Sequence, residues 1–407
     1  MAEMTDETTN NGGAHIVFDD WRTISFAVFM ALVGYSVMVT VPVLSTALVQ
    51  SLSFTEEQVG RVWGNDMLGF SMGAIVAALS VARVNRRHLV IGGIMLSIGA
   101  NAWCMFIADY ESMMWLRFAA GIGSGIFTGT AVATLGGTTN PVRAFNILLL
   151  GFSFSAAGEL HLFPQLSLNG IYWFLIGTAA VCGLFLRWLP SRPLSEGEKE
   201  QQHQLEDHSE DWRVPVILPI FCLIAVCFTY INIGGYFTYI ELAALGAGIA
   251  PEFVSPLLTW ASFWALAGCL LALLCARFGL FRPLFVALLS MTVLVGMLSV
   301  GINKINLTIS VFAFLALWTF VDVYQSSMMG YMDRSGSLVA LLPSVQGFGQ
   351  FVGPNIAASI IGAGLGYDTM FLVSGSMALV AMAIYGGIFF YMHSRKSAQV
   401  EPVTEAA

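Results

Sequence analysis

Charge is scarce in this 407-residue chain: 10 % of its residues are Asp, Glu, Lys or Arg, against roughly 25 % in ordinary soluble domains. A water-soluble globule of this size would have too little charge to cover its surface. Cysteine is absent from the polar connectors. All six (Cys104, Cys182, Cys222, Cys227, Cys269 and Cys275) lie in apolar runs, with no disulfide or zinc spacing. No Gly-Lys pair occurs, so there is no phosphate-cradling P-loop, which disfavours an ATP-driven pump. There is no His-Glu-x-x-His either, and the chain is expected not to be an enzyme and to need no cofactor or metal. The amino terminus, "MAEMTDETTNNGGAHIVFDDW", is polar and acidic ahead of a full-length apolar run, so no cleavable signal peptide is expected. The formal charge of −8 sits largely in the tails and in "SEGEKEQQHQLEDHSEDW", which reads as solvated linker and says little about a ligand.

What the chain does have is apolar length. Hydrophobic residues make up 57 % of it and the mean hydropathy is +0.76. Twelve runs are long enough to cross a bilayer: roughly 23–48, 59–82, 89–108, 114–137, 144–164, 170–189, 214–240, 253–276, 284–302, 307–331, 338–361 and 367–391. The runs are continuous rather than alternating, so they predict helices and not a barrel. Arg22, Arg83, Arg86, Arg87, Arg143, Arg187, Arg192, Lys199, Arg213, Arg277, Arg282, Arg334, Arg395 and Lys396 fall on one side, 14 of the 17 basic residues. Arg61 and Lys304 lie on the other side, and Arg117 lies within a span. The positive-inside rule then places both termini in the cytoplasm, as an even number of spans requires.

One long polar connector divides the chain into a tail at 1–22, a six-span half at 23–189, a linker at 190–213, a second six-span half at 214–391, and a tail at 392–407. The halves carry a weak repeat. "ALSVARVNRR" follows the second span and "ALLCARFGLFR" the eighth, with Ala82-Arg83 falling on Ala276-Arg277 at an offset of 194 residues. Taken together these features resemble the major facilitator superfamily over essentially the whole chain. That family's cytoplasmic signature reads Gly-x-Leu-Ala-Asp-Arg-x-Gly-Arg-Arg. Arg83, Arg86 and Arg87 match it, while Ala82 and Asn85 stand where Asp and Gly belong. Arg117 and Gly121 in "LRFAAGIGSG" resemble the span-four element, and "GFGQFVGPNIAASIIG" the Gly-Pro-rich span eleven. Span five lacks the antiporter Gly-Pro pair. The resemblance implies an all-α membrane fold of two pseudo-symmetric six-helix bundles rocking about a shared site, with Arg83, Arg86, Arg87 and Arg277 as gating-loop residues.

An ionised group at the bilayer centre costs at least ~3 kcal/mol, so charged residues within the spans are functional candidates. Asp66, Arg117, Glu159, Glu241 and Asp322 qualify, with His161 as a titratable sixth. In "GELHLFPQL", Glu159 and His161 are two residues apart, about 200° around a helix, and cannot share a face unless Pro164 breaks it. Asp66, Arg117 and Glu159 fall at similar depth in the outer third of the first half, which predicts that Arg117 pairs with Glu159 or Asp66. Glu241 lies near the outer end of its span and is expected at the interface. In the second half Trp318, Asp322 and Gln325 share a stripe at i, i+4 and i+7, as do Asn232, Tyr236 and Tyr239, while Gln346 and Gln350 stand at i and i+4.

A carboxyl in a cavity that opens and closes can bind and release a proton as its hydration changes. Asp322, Glu159, His161 and Asp66 are therefore the proton-coupling candidates, His161 because its unperturbed titration lies near neutrality. Arg117, Tyr35, Asn232, Tyr236, Trp318, Gln325, Gln346 and Gln350 are the candidates to line a substrate cavity. The chain is thus expected to be a proton-coupled secondary active transporter moving a small organic solute by alternating access. The missing span-five Gly-Pro pair tips the reading toward uptake by symport. Proton-antiport efflux of drugs or metabolites is the alternative, and a non-transporting sensor or scaffold a remote one. The expected partners are the solute, protons and the lipid bilayer, with no nucleic acid. The expected setting is a monomer in a bacterial inner membrane.

Overall fold

The computed structural model describes residues 18–81, 83–138, 141–191, 215, 217–332, 338 and 341–400. Ala82, nearly all of the 190–213 linker, most of the 1–22 tail and residues 401–407 lie outside the described residues. Among those described, every regular element is helical. In chain order they are α1 (Trp21–Leu52), α2 (Glu56–Ser80), α3 (Arg86–Cys104), α4 (Tyr110–Gly136), α5 (Pro141–Leu162), α6 (Leu168–Leu184), α7 (Ile217–Gly246), α8 (Pro251–Ser262), α9 (Trp264–Cys275), α10 (Phe281–Gly296), α11 (Lys304–Met332), α12 (Leu342–Gly362) and α13 (Gly366–Val400). Thirteen helices make twelve spans, because α8 and α9 are one span interrupted at Phe263, whose N–H bonds to the Trp260 carbonyl at i−3 rather than continuing the helical ladder.

Nine of these spans are long and apolar enough to cross a bilayer on their own terms. The other three fall short for visible reasons. Helix α3 spends its first turn on Arg86, Arg87 and His88, α6 has only 17 residues, and α12 carries Gln346, Gln350, Pro354 and Asn355. Their polar groups must be shielded by neighbouring helices, since lipid offers no hydrogen bonds.

The helix starts are chemically marked. Thr55 and Gln58 form a reciprocal capping box at α2, with Glu56 and Glu57 in its first turn. Asp109 caps α4 by accepting from the Ser112 N–H at 2.9 Å, and that bond holds its carboxyl below the usual carboxylate range. Helix α5 gives way to a single 3₁₀ turn, Phe163–Gln165, built on Pro164, as the missing proline N–H dictates.

The described residues pack into two compact units, Met1–Leu205 with Phe237–Phe263, and Glu206–Tyr236 with Trp264–Ala407. In the first, Phe26, Met30, Val90, Ile94, Phe127 and Leu148 bring α1, α3, α4 and α5 into one buried cluster. Helices α2 and α4 approach backbone to backbone. Gly69 and Gly73 on one face Gly121 and Gly125 on the other, and a methyl group at Gly121 would collide with the Asp66 carbonyl oxygen. Two Gly-x-x-x-Gly faces thus meet, the arrangement that lets spans pack closely in lipid. The run "GFSMG", Gly69–Gly73, has the letters of a hydrolase nucleophile elbow but lies in the middle of continuous α2, where both glycines serve packing. In the second unit Gly234 and Gly235 on α7 play the same part against Gly353 and Gln350 on α12.

Candidate functional site

In the first unit the close α2–α4 contact carries Asp66 and Arg117 into one buried ion pair. Arg117 Nη2 forms a salt bridge to Asp66 Oδ2, its Nε donates to the same oxygen at 2.7 Å, and both side chains are 1 % exposed. The remaining terminal nitrogen donates to Asn101 Oδ1 at 2.6 Å, and Asn101 in turn donates to the Ser97 carbonyl. Trp63 and Tyr172 lay their rings beside the guanidinium at 5.3 and 6.0 Å. A void of about 10 Å³ lined by Arg117, Asn101, Ser97 and Ser124 adjoins it, room for about one water. Of the two partners expected for Arg117, the structure chooses Asp66.

Glu159 stands apart from that pair. It is 7 % exposed, and its two oxygens accept from Ser36 Oγ on α1 at 2.7 Å and from Ser155 Oγ on its own helix at 2.8 Å. The ion pairs among the described residues, Arg61–Glu57 and Arg117–Asp66, do not include it. Phe152, Ser155 and Glu159 form one stripe of α5, and Tyr35 on α1 packs edge-on against Phe152 and tilted against Phe70, at 6.0 and 5.7 Å. His161 faces away, exposed, as the 200° separation requires. Glu241, five residues before the end of α7 at Gly246, is 5 % exposed beside Thr46 of α1, with its Oε2 buried and without a hydrogen-bond partner. Two residues earlier, Tyr239 donates to the Glu56 carbonyl at the start of α2 at 2.8 Å.

The second unit gathers a different cluster. Asp322 on α11 is half-buried and accepts from the Tyr230 hydroxyl at 2.5 Å. Trp318, one turn away, also bonds the carboxylate and places its indole N–H 3.4 Å from the Tyr230 oxygen. A further turn along, Gln325 donates to Thr229 at 2.7 Å, and its Oε1 is buried without a partner. Asn232 and Tyr236 turn elsewhere. Asn232 donates to the Ser374 carbonyl at 2.7 Å, and Tyr236 meets Ser310 at 3.0 Å and packs on Phe314. Gln350 is buried against α7, and Gln346 is half-exposed on α12. The stripe Trp318–Asp322–Gln325 therefore forms one site, whereas Asn232 and Tyr236 tie α7 to its neighbours.

The basic loop residues divide between fastening and exposure. Arg87 donates to the Leu189 and Arg187 carbonyls at 2.7 and 2.8 Å, fixing the start of α3 to the end of the sixth span. Arg86 is buried, donates to Thr134 at 3.3 Å and lies over the Phe18 ring at 4.9 Å. Arg83 and Arg277 are exposed, Arg277 over the Phe278 ring.

Sequence reasoning missed Ser36, Ser155, Tyr230, Thr229 and Asn101, the donors and acceptors that meet the charged groups. Ser155 could have been found four residues before Glu159. The others are partners across helices, and no spacing announces them.

The sequence matches the Major Facilitator Superfamily over residues 24–354. The 3-(3-hydroxy-phenyl)propionate transporter of Escherichia coli (strain K12) is 22 % identical, covering 94 % of this chain and 96 % of that protein. Among solved structures, a mutant of the nucleoside transporter NupG superposes with a TM-score of 0.72 at 10 % identity, covering 90 % of this chain and 98 % of that one. The human organic anion transporter MFSD10 (TETRAN) reaches 0.66 at 14 % identity, covering 89 % and 98 %.

Proposed function

The chain belongs to the Major Facilitator Superfamily, and from that membership we propose that it is a proton-coupled symporter taking up a small aromatic carboxylic acid by alternating access. It is a multi-pass membrane transporter of organic solutes and not an enzyme. The observation that carries the coupling is the company of two acids. Among the described residues Glu159 and Asp322 are bonded by hydroxyl and indole groups and by no basic side chain, so a proton can neutralise each without stranding a buried base. Asp66 is committed to Arg117 and in this reading serves as structure. The cargo class comes from the E. coli relative, and the aromatic groups near both acids, Tyr35 and Phe152 in one unit and Trp318 and Tyr230 in the other, suit a ring. In this reading the bundles are 23–189 and 214–391, the linker at 190–213 and both tails are cytoplasmic, and the membrane is a bacterial inner membrane.

The test is uptake into proteoliposomes of radiolabelled 3-(3-hydroxyphenyl)propionate, a nucleoside and a cationic dye, each with and without an inside-alkaline pH gradient. Accumulation of the aromatic acid that collapses with a protonophore is the expected result. Gradient-driven movement in the opposite direction would mean antiport, and transport indifferent to the gradient would end the proton reading.

A further inference from the structure

We infer that Ser36 and Ser155 are positioning residues that set the proton affinity of Glu159, forming a reversible hydroxyl collar around the acid. This deepens the proton-coupling reading and rests on it for its role in transport. The geometry is specific: one hydroxyl per carboxylate oxygen, at 2.7 and 2.8 Å, one from α1 and one from α5 itself.

The chemistry of the partner decides what an acid can do. An arginine only donates, so it can serve the oxygens of a carboxylate but has no acceptor for the O–H of a neutral carboxyl. Asp66 is held in that way by Arg117. A serine hydroxyl donates to the carboxylate, and after a rotation of its O–H it accepts from the carboxylic acid. The collar around Glu159 therefore satisfies both protonation states without moving a backbone atom. Among the described residues no charged side chain bonds Glu159. On α1, Arg22 lies at the far end and Tyr35 packs on Phe152 and Phe70. On α4, Arg117 is taken by Asp66 and Asn101, and Glu111 lies in the first turn. On α8, Glu252 is exposed, and on α5 itself Arg143 and His161 are exposed. The outer half of α7 brings Tyr239 and Glu241, but Glu241 meets α1 at Thr46, ten residues from Ser36, about 15 Å at the helical rise.

The bonds to the ionised form are the stronger ones, because a charged acceptor shortens and strengthens a hydrogen bond. Deleting a serine hydroxyl thus removes more from the carboxylate than from the acid, and the proton should be held to higher pH.

The test is infrared pH-difference spectroscopy of the full chain in nanodiscs, which needs no cargo. Glu159→Gln identifies the carboxyl C=O band that belongs to Glu159. In Ser36→Ala and in Ser155→Ala the titration midpoint of that band should rise by about one pH unit, a tenfold change in proton affinity. Ser36→Thr and Ser155→Thr should restore it, which separates the effect from general loosening of the helices. A midpoint unmoved by either alanine variant, or moved equally by the threonine variants, overturns the collar. A collar that behaves as expected while uptake ignores the pH gradient would instead overturn the proton-coupled function and leave this inference standing.

Discussion

Breaking the Arg117–Asp66 pair from either side should cost different amounts, and the difference follows from which partner has a neutral form. Both side chains are 1 % exposed. Removing one member of such a pair typically costs about 3–5 kcal/mol, because the other charge is left buried and uncompensated. Asp66→Leu strands a guanidinium that cannot lose its proton, so it should show the full penalty of about 3–5 kcal/mol. Arg117→Met strands a carboxylate that can accept a proton, so its cost should be smaller and should shrink further as the pH is lowered. The double variant Asp66→Leu/Arg117→Met removes both charges and leaves Asn101 Oδ1 without its donor, a loss of about 1–3 kcal/mol. Unfolding by sodium dodecyl sulfate in mixed micelles, followed by tryptophan fluorescence across a pH series, measures all three. If Asp66→Leu is no less stable than the double variant, the ion pair is not what holds α2, α3 and α4 in register and the reasoning fails.

Asp322→Asn should abolish the response of uptake to an imposed pH gradient while the protein still folds and inserts. An unchanged pH profile in proteoliposomes would remove Asp322 from the coupling. Tyr230→Phe deletes the hydroxyl 2.5 Å from that carboxylate and should move the pH midpoint of uptake by up to about one unit. Trp318→Phe should move it less, since its contact to the Tyr230 oxygen is 3.4 Å. Gly121→Ala drives a methyl into the Asp66 carbonyl and should destabilise the α2–α4 contact by about 1–3 kcal/mol, seen as a lowered unfolding midpoint. Gly136→Ala at the end of the same helix, with open space around it, is the control.

Most of the spans could be read from length and hydropathy, nine of the helices meeting both on their own terms, and depth narrowed the partner of Arg117 to Glu159 or Asp66. Less could be read where the deciding contact is tertiary. Glu159 announces itself as a buried acid, yet nothing in "FSFSAAGEL" says that Ser36, 123 residues away, closes its collar. Asn232, Tyr236 and Tyr239 share a polar stripe that suggests a wet face. Tyr236 instead bonds Ser310, Asn232 the Ser374 carbonyl, and Tyr239 the start of α2. Periodicity finds the face but not what it meets. The Gly-x-x-x-Gly runs at 69–73 and 121–125 went unread in the sequence, yet they carry the backbone-to-backbone approach of α2 and α4. The interruption at Phe263 has no proline or glycine to mark it within "TWASFWAL".

The partners of the buried charges also bear on how an acid cargo can cross. Arg117 is the one basic residue deep within a described span, and Asp66 and Asn101 occupy it. Arg86, at the start of α3, is engaged by Thr134 and the Phe18 ring. A carboxylate cargo therefore meets no uncommitted arginine at depth, and Glu159 and Asp322 in their ionised forms would repel it. Protonation removes that repulsion and turns each acid into a donor for the cargo's own oxygens. In the proposed reading, coupling to protons is then the condition for an anion to enter, and cargo class and driving ion follow from the same two acids.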